Sequence, residues 1–491
     1  MEHTVLAFDF GASSGRAVLG CFDGERINLC ETHRFDNDPV LVRGTFYWDV
    51  LRLLHDIKLG MAKAKTIARF SSVGIDTWGV DFGLLDKDGA LLQNPVNYRD
   101  RRTDGMPEKF FRNIMPREEL YNRTGVQVMA INTLFQLYAL CEKQPGLLKS
   151  ADCALLMPDL LAYMLTGVKT SEYTAASTTQ LINPHTGKWD TQLFGKIGIR
   201  PDLFPEVQSP GRVLAKLDGE TARELGLSDV EVISVAGHDT ASAVVAVPAD
   251  AGDFIYISCG TWSLFGTELL TPSISQKSMD CNITNEGGYA GTIRFLKNIS
   301  GLWLIQETRR QYIREGRKYS YNELERRALA SEPFAFFINP DAPEFVPQGD
   351  IPARVREYCR KTGQGIPETA GQIMRCIYES IALKYRLTYD MMRECTGKTY
   401  KHIHIVGGGT KDNLLCQMTA NATGSKVIAG PIEATALGNI AVQLMAKGLI
   451  KDLTHARSVI MNSFEPVRYS PQDGHTGQWQ TAFERFRGII A

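Results

Sequence analysis

The sequence has no stretch of about 18 consecutive apolar residues, the rough minimum for a membrane-spanning helix, and so predicts no transmembrane segment. It also has almost no net charge: 54 Lys and Arg stand against 55 Asp and Glu, leaving -1. No global field draws such a chain to nucleic acid or to an anionic membrane, and a small-molecule partner is the default expectation. Its ten cysteines are scattered (21, 30, 141, 153, 259, 281, 359, 376, 395, 416), with no CxxC pair and no zinc-ligand spacing. That usage predicts reduced thiols and a cytoplasmic location. The opening Met1-Glu2-His3-Thr4 carries an acid and no basic n-region, and the apolar run Val5 to Phe8 stops at Asp9, which argues against a signal peptide. The Asn-x-Ser/Thr sites at Asn122, Asn282, Asn298 and Asn421 carry no weight in a cytoplasmic chain. The GxxxxGK[ST] phosphate loop is missing as well: Gly397-Lys398-Thr399 has Met392 where the first glycine belongs, and reads better as a helix cap.

At 491 residues, 44% of them hydrophobic, the chain is too long for one ordinary domain. Val5 to Phe10 reads as a strand, Gly11-Ala12-Ser13-Ser14-Gly15 as a turn, and Arg16 to Cys21 as the returning strand. A helical stretch at residues 49–68 follows, then a strand from Val73 to Thr77 that passes Trp78-Gly79 and resumes from Val80 to Leu85. Residues 105–167 read as largely helical. Near Val230 the pattern restarts: Val232 to Val235 is a buried strand ending at Gly237-His238-Asp239-Thr240, before a small-residue helix. Phe254 to Ile257, Ser258-Cys259-Gly260-Thr261 and Trp262 to Leu270 then repeat strand, turn, strand, which divides the chain into residues 1–245 and 246–491. Ile373, Ile377 and Ile381 share one helix face closed by Gly397, and His402 to Val406 is a strand running into Gly407-Gly408-Gly409, followed by helices at 412–423 and 433–447.

Several segments have the right residues for chemistry, and each also has an ordinary structural reading. Asp9 at a strand end, followed by small residues with free amides and by Arg16, suits a metal and a phosphate; it also suits a plain hairpin. Asp239 is either a base for a substrate hydroxyl or the N-cap of the next helix. Ser258-Cys259-Gly260-Thr261 repeats the Gly/Ser chemistry of residues 11–14, and the triple glycine lets backbone approach a flat ligand. Asp76, Trp78, Gly79 and Asp81 combine an aromatic platform with acceptors for sugar hydroxyls, and Asn298 and Gln306 flank Gly301-Leu302-Trp303, a second aromatic segment. His402 and His404 share a strand face but lack a third ligand for a metal site. Cys359 and Cys376 approach one another if they lie on adjacent helices.

Asp9-Phe10-Gly11-Ala12-Ser13-Ser14-Gly15-Arg16, Gly74-Ile75-Asp76-Thr77-Trp78-Gly79-Val80-Asp81-Phe82, Gly237-His238-Asp239-Thr240-Ala241-Ser242, Gly260-Thr261-Trp262-Ser263 and Asn298-Ile299-Ser300-Gly301-Leu302-Trp303 occur in one order. That order resembles the FGGY carbohydrate kinases, essentially end to end, through Val406-Gly407-Gly408-Gly409 and Gly430 to Asn439. The resemblance implies an α/β fold of two actin-like, ribonuclease H-like ATPase domains around a central cleft. It implies transfer of the γ-phosphoryl group of ATP, with Mg²⁺, to the 1-hydroxyl of L-rhamnulose in L-rhamnose catabolism. Fuculose or xylulose as acceptor is the nearest alternative, and a non-sugar actin-like ATPase a more distant one. Under it, Ala12, Ser13, Ser14, Gly15, Arg16, Thr261, Gln306 and Gly408 hold ATP, and Asp9 addresses the metal directly or through water. Gly79, His238, Asp239, Thr240 and Asn298 form the ketose site, with Asp239 as general base. No nucleic acid or membrane partner is implied, and no oligomeric state. Cys259, where the family often has serine, and Thr410-Lys411-Asp412-Asn413 depart from the pattern near the nucleotide contacts.

Overall fold

The computed structural model describes residues 3–249, 254–474 and 476–490; Met1 and Glu2, read above as part of the N-terminal segment, lie outside them. The chain forms two compact units. One is built from Met1–Ala251, Glu268–Leu296 and Ala434–Phe464, the other from Gly252–Thr267, Lys297–Glu433 and Glu465–Ala491.

The first unit is organised on the strand His3–Phe10. It pairs antiparallel with Ser14–Phe22 and parallel with Ser72–Thr77 in a six-stranded sheet that also holds Ile27–Asp36, Glu231–Ser234 and Arg212–Lys216. Val5 to Phe8 are fully buried, as expected of a strand covered on both faces. On one face lies the helix Val50–Ile67, capped by the Asp49 side chain, which buries Val50, Leu53, Ile57, Met61 and Ala64 at helical spacing. Against the same sheet packs the helix Ala434–Ala446. A Cβ at Gly20 would come within 2.6 Å of Ile440, so this strand glycine makes room for the helix. Gln443 accepts from the Ser72 hydroxyl at 2.8 Å and donates to the Leu6 carbonyl at 3.0 Å, tying the helix to two strands. A separate apolar core, including Phe110, Phe135, Leu137 and Phe194, gathers the helices of residues 106–204.

The second unit repeats the opening device. Ile255–Cys259 pairs antiparallel with Trp262–Leu269 and parallel with His402–Val406, which pairs in turn with Lys426–Ala429. Its longest helix, Ala370–Thr396, starts at a Thr369/Gln372 capping box and ends at Gly397 in the left-handed region (φ 68°), with Ile373, Ile377 and Ile381 buried. Gly397 is thus a helix cap and not part of a phosphate loop.

Several local expectations are corrected. The first turn is shorter than Gly11 to Gly15, because Ser14 and Gly15 already belong to the returning strand. The strand after Trp78 begins at Phe82 rather than Val80, because Val80 turns the chain with φ 67°. Residues 105–167 include the strand Cys153–Leu156, which pairs with Phe82–Leu85. Cys359 and Cys376 are both buried free thiols, and the nearby Cys359, after burial itself, raises the Cys376 pKa. Among the described residues no helix is long and apolar enough to cross a membrane.

Candidate active site

Two carboxylates of the first unit stand near neighbouring strand ends and a third at the start of the helix that follows the next strand. Asp9 is the penultimate residue of its strand, and the ladder sets it opposite both Arg16 and Asp76. Arg16 donates to Asp9 Oδ2 from Nε at 3.0 Å and from Nη2 at 2.6 Å, a direct consequence of the tight hairpin. Asp76 is fully buried. Its Oδ2 accepts from Asn439 Nδ2 at 2.6 Å, while its Oδ1 meets no donor among the described residues. Burial, then the negative charge of Asp9, holds the Asp76 carboxyl well above the usual range. Asp239 begins the helix Asp239–Val245, and Thr77 N donates to the Gly237 carbonyl at 2.9 Å, which fixes that helix start to the Ser72–Thr77 strand.

The cap reading of Asp239 does not hold. His238 occupies the N-cap, no side chain caps the helix, and Asp239 accepts instead from the Thr240 hydroxyl at 3.0 Å. Its side chain keeps 28% exposure. Partial enclosure raises its carboxyl to about 7, the nearby charge of Asp9 adds to the rise, and Thr240 and Arg294 oppose it. A carboxylate that is open on one side and ionises near neutral pH suits a general base.

The loop before Asp239 is held by residues that local sequence does not single out. Glu172 Oε2 accepts from Gly237 N at 2.9 Å, and the Thr174 hydroxyl, itself bound to Glu172, accepts from His238 N at 3.1 Å. Asp159 in turn receives Glu172 N on both oxygens. His238 Nδ1 faces Arg294 Nη2 at 3.0 Å, and Arg294 pairs with Glu286.

The aromatic cluster at residues 76–81 has a different character from the one expected. Asp81 Oδ2 accepts from the indoles of Trp48 at 2.6 Å and Trp78 at 3.0 Å and from Tyr98 N, and its Oδ1 accepts from Gln136. The two indole rings lie 4.1 Å apart, centroid to centroid. Asp81 is therefore a buried hub that locks two tryptophans, with its acceptors spent on protein donors. Gly79 lies beside this hub against Thr178, whose hydroxyl accepts from Val80 N at 3.1 Å.

At the tip of the first hairpin, Ser13 is exposed and Ala12 half-buried. Gly15 has a packing role, since a Cβ there would run into the Phe35 ring. In the second unit the Gly260-Thr261 turn is tied to the next segment: Leu302 N donates to the Gly260 carbonyl at 3.1 Å and Trp303 N to the Thr261 carbonyl at 3.2 Å. Gln306 lies one turn along the helix Trp303–Arg314 that starts there. Gly407 to Gly409 follow the adjacent parallel strand, with Gly407 at φ 84°, and a Cβ on Gly409 would collide with Cys259 Sγ. Only Gly408 of the three is exposed and has open space around it. Asn298 lies on the strand Ile293–Ser300 in the part assigned to the second unit. Thus Asp9, Ala12 to Arg16, Gly79 and His238 to Thr240 belong to one unit, and Thr261, Asn298, Gln306 and Gly408 to the other. Among the described residues no three His, Cys, Asp or Glu side chains enclose a metal, and His402 and His404 form no such site.

The N-terminal domain model of the FGGY family of carbohydrate kinases matches residues 4–246, and the C-terminal domain model matches residues 255–447. The chain belongs to the FGGY family of carbohydrate kinases. Family members with similar sequences include a rhamnulokinase of Bacteroides thetaiotaomicron, 45% identical with 100% of each chain covered, and one of Bacillus subtilis, 41% identical with 95% of each covered. In fold, the chain is similar to a ligand-bound xylulose kinase from Lactobacillus acidophilus (TM-score 0.82, 16% identity, 99% and 97% of the two chains covered). It is also similar to Plasmodium falciparum glycerol kinase with ADP (TM-score 0.79, 14% identity, 99% and 98% covered). The mixed α/β, two-domain architecture is that of these actin-like kinases.

Sequence reading missed Glu172, Asp159, Arg294 and Glu286, and placed Asn439 at the end of the Gly430 to Asn439 segment without a role. A sequence signal exists for one pair only: Glu286 and Arg294 are opposite charges on successive strand-like segments, and they become direct cross-strand partners.

Proposed function

We propose that the chain transfers the γ-phosphoryl group of ATP to the 1-hydroxyl of L-rhamnulose, with Asp239 as the general base. The observation that carries the chemistry is Asp239 itself, a partly open carboxylate beside Asp9 with its carboxyl raised to about 7. The sugar assignment is supported by full-length relatives named rhamnulokinase at 38–45% identity. Gly79, His238, Thr240 and Asn298 orient the ketose. Ala12, Ser13, Ser14, Gly15 and Arg16 from residues 1–245, and Thr261, Gln306 and Gly408 from residues 246–491, bind the nucleotide. Gly15 contributes through its backbone, since its side-chain space is taken by Phe35.

The residues present fit a divalent cation accompanying ATP. Asp9 is a hard-oxygen ligand, and the neighbouring Asp76 Oδ1 is a buried oxygen that meets no donor among the described residues. Mg²⁺, which typically binds through one or two carboxylates plus phosphate oxygens and water, supplies charge neutralisation on the transferring phosphoryl group. Asp9 would hold it directly or through water, in exchange for part of its bond to Arg16, whose guanidinium would meet phosphate. Asp239 takes the proton of the 1-hydroxyl as that oxygen forms its bond to the γ-phosphorus and the bond from that phosphorus to the β–γ bridging oxygen breaks, with ADP as the leaving group.

Assay of ATP consumption across a panel of ketoses tests the proposal. L-rhamnulose is expected to give the highest kcat/KM; a clear preference for fuculose or xylulose would replace the sugar assignment, and sugar-independent ATP hydrolysis would remove it. Because the base must be ionised, kcat/KM for the ketose should fall about tenfold per pH unit below an apparent pKa near 7. The triple glycine gives a further expected result. Gly409→Ala should weaken nucleotide binding by about tenfold or more, because over-packing of about 1–3 kcal/mol must be relieved by moving the turn. Adding Cys259→Ala should recover part of the loss, as measured by titration calorimetry.

A further inference from the structure

Arg294 is fully buried, and its guanidinium is spent on a small set of partners in the first unit. Nε donates to the Gly287 carbonyl at 2.8 Å, and Nη2 lies 3.0 Å from His238 Nδ1 and 3.1 Å from Glu286 Oε2. Nη1 has no partner among the described residues. Burying a guanidinium with a donor left over is costly, and such a group calls for an explanation other than stability.

The chemistry of the pair provides one. Arginine is only a donor, so at 3.0 Å His238 Nδ1 must be the acceptor. A proton on Nδ1 would set two donors face to face. The alternative, an Nδ1–H donated to Glu286 Oε2, spans 3.5 Å and is blocked by the same guanidinium. The ring's one proton therefore sits on Nε2, 3.4 Å from Asp239 Oδ1.

We propose that Arg294, anchored by its cross-strand partner Glu286, is a positioning residue that fixes His238 as the neutral Nε2–H tautomer and so places a permanent N–H donor beside Asp239. This deepens the reading of Asp239 as base and rests on it for its catalytic meaning. With Nδ1 closed, His238 does not compete for the substrate proton. Its Nε2–H supports the Asp239 carboxylate before transfer and is available to a ketose oxygen once Asp239 carries the proton. Burial and the Arg294 charge hold the ring pKa well below the usual histidine range, consistent with a ring that does not titrate. The groups facing the cluster are Asp239, Glu286 and Arg294 themselves, Glu172 through the Gly237 amide, and Tyr173, which feels the Arg294 charge.

The test uses the full chain with ¹⁵N-labelled histidine, the His238 resonances being assigned by their loss in His238→Gln. Long-range ¹H–¹⁵N correlation should show the neutral Nε2–H pattern unchanged from about pH 5.5 to 8.5, across the range where a free imidazole titrates. An Nδ1–H pattern, or an imidazolium signal appearing in that range, would overturn the proposal. This readout needs no substituted Arg294 and no turnover, so it can succeed even if Asp239→Asn proves active and the base assignment fails. A kinetic cycle adds the functional arm. Removing both charges together, Glu286→Gln with Arg294→Met, should lower ketose kcat/KM by about tenfold or more. In a His238→Gln background, whose amide N–H needs no tautomer fixed, the same removal should cost about twofold at most. Equal losses in the two backgrounds would show that Arg294 acts only on folding and would overturn the proposal.

Discussion

Asp239→Asn is expected to lower kcat by at least about 10²-fold while leaving nucleotide affinity nearly unchanged, the loss appropriate to removal of a general base. The amide preserves the shape of the side chain and can still accept from the Thr240 hydroxyl, so the helix start should stay in place. A second effect of the same substitution has the opposite sign. The folded state raises the Asp239 carboxyl to about 7, above its value in the unfolded chain. Its contribution to stability is therefore full in acid and is lost as pH rises through about 7. Above that pH the folded protein carries an ionised carboxylate that it disfavours, and asparagine removes it. The variant should unfold at a higher temperature than the parent at pH 8, with the gap closing toward pH 4. Loss of turnover joined to a gain in stability marks a functional group, since a cap or a purely structural aspartate would lose stability.

The second large effect is expected from Gly438, on the helix Ala434–Ala446. A Cβ at this position would fall inside the carbonyl of Ser242, on the helix that begins with Asp239. The obstructing atom is backbone, so no side-chain rotation can relieve the overlap. Gly438→Ala should destabilise the protein by about 3 kcal/mol, at the upper end for over-packing, and Gly438→Val by more. Denaturant unfolding measures it. Because one of the two helices must shift, activity in the surviving folded fraction should fall as well, through displacement of Asp239 rather than through any contact with substrate. An alanine variant with wild-type stability would show that the two helices are not in close contact there.

Much of the fold was legible because it is local. The Val5 to Phe10 strand, its Gly/Ser turn and the returning Arg16 strand form one hairpin, and the Asp9–Arg16 pair follows from the ladder. Gly397 and the isoleucines before it gave a helix and its end from spacing alone. The Asp76–Trp78–Asp81 cluster was legible as a special place but not in its role. Residue types cannot show that the Asp81 acceptors are filled by Trp48, Trp78, Tyr98 and Gln136, the last of them 55 positions away. Asp239 was ambiguous for a different reason: aspartate before a small-residue helix is an ordinary cap, and only its lack of a capping bond and the charge of Asp9 separate the readings. The contacts that Asn439, Glu172 and Arg294 make with the site carried no local signal, although the Arg294–Glu286 charge pair did. Their partners Asp76, Gly237 and His238 are 363, 65 and 56 positions away, and folding alone creates those contacts.

Transfer to the 1-hydroxyl is tested by identifying the product formed from ATP and L-rhamnulose labelled with ¹³C at position 1. A sugar phosphate is expected whose phosphorus is coupled to the labelled carbon, formed in amounts equal to the ADP released and at least about 10²-fold more slowly with Asp239→Asn. Phosphorus on another carbon, or ADP released without sugar phosphate, would contradict it.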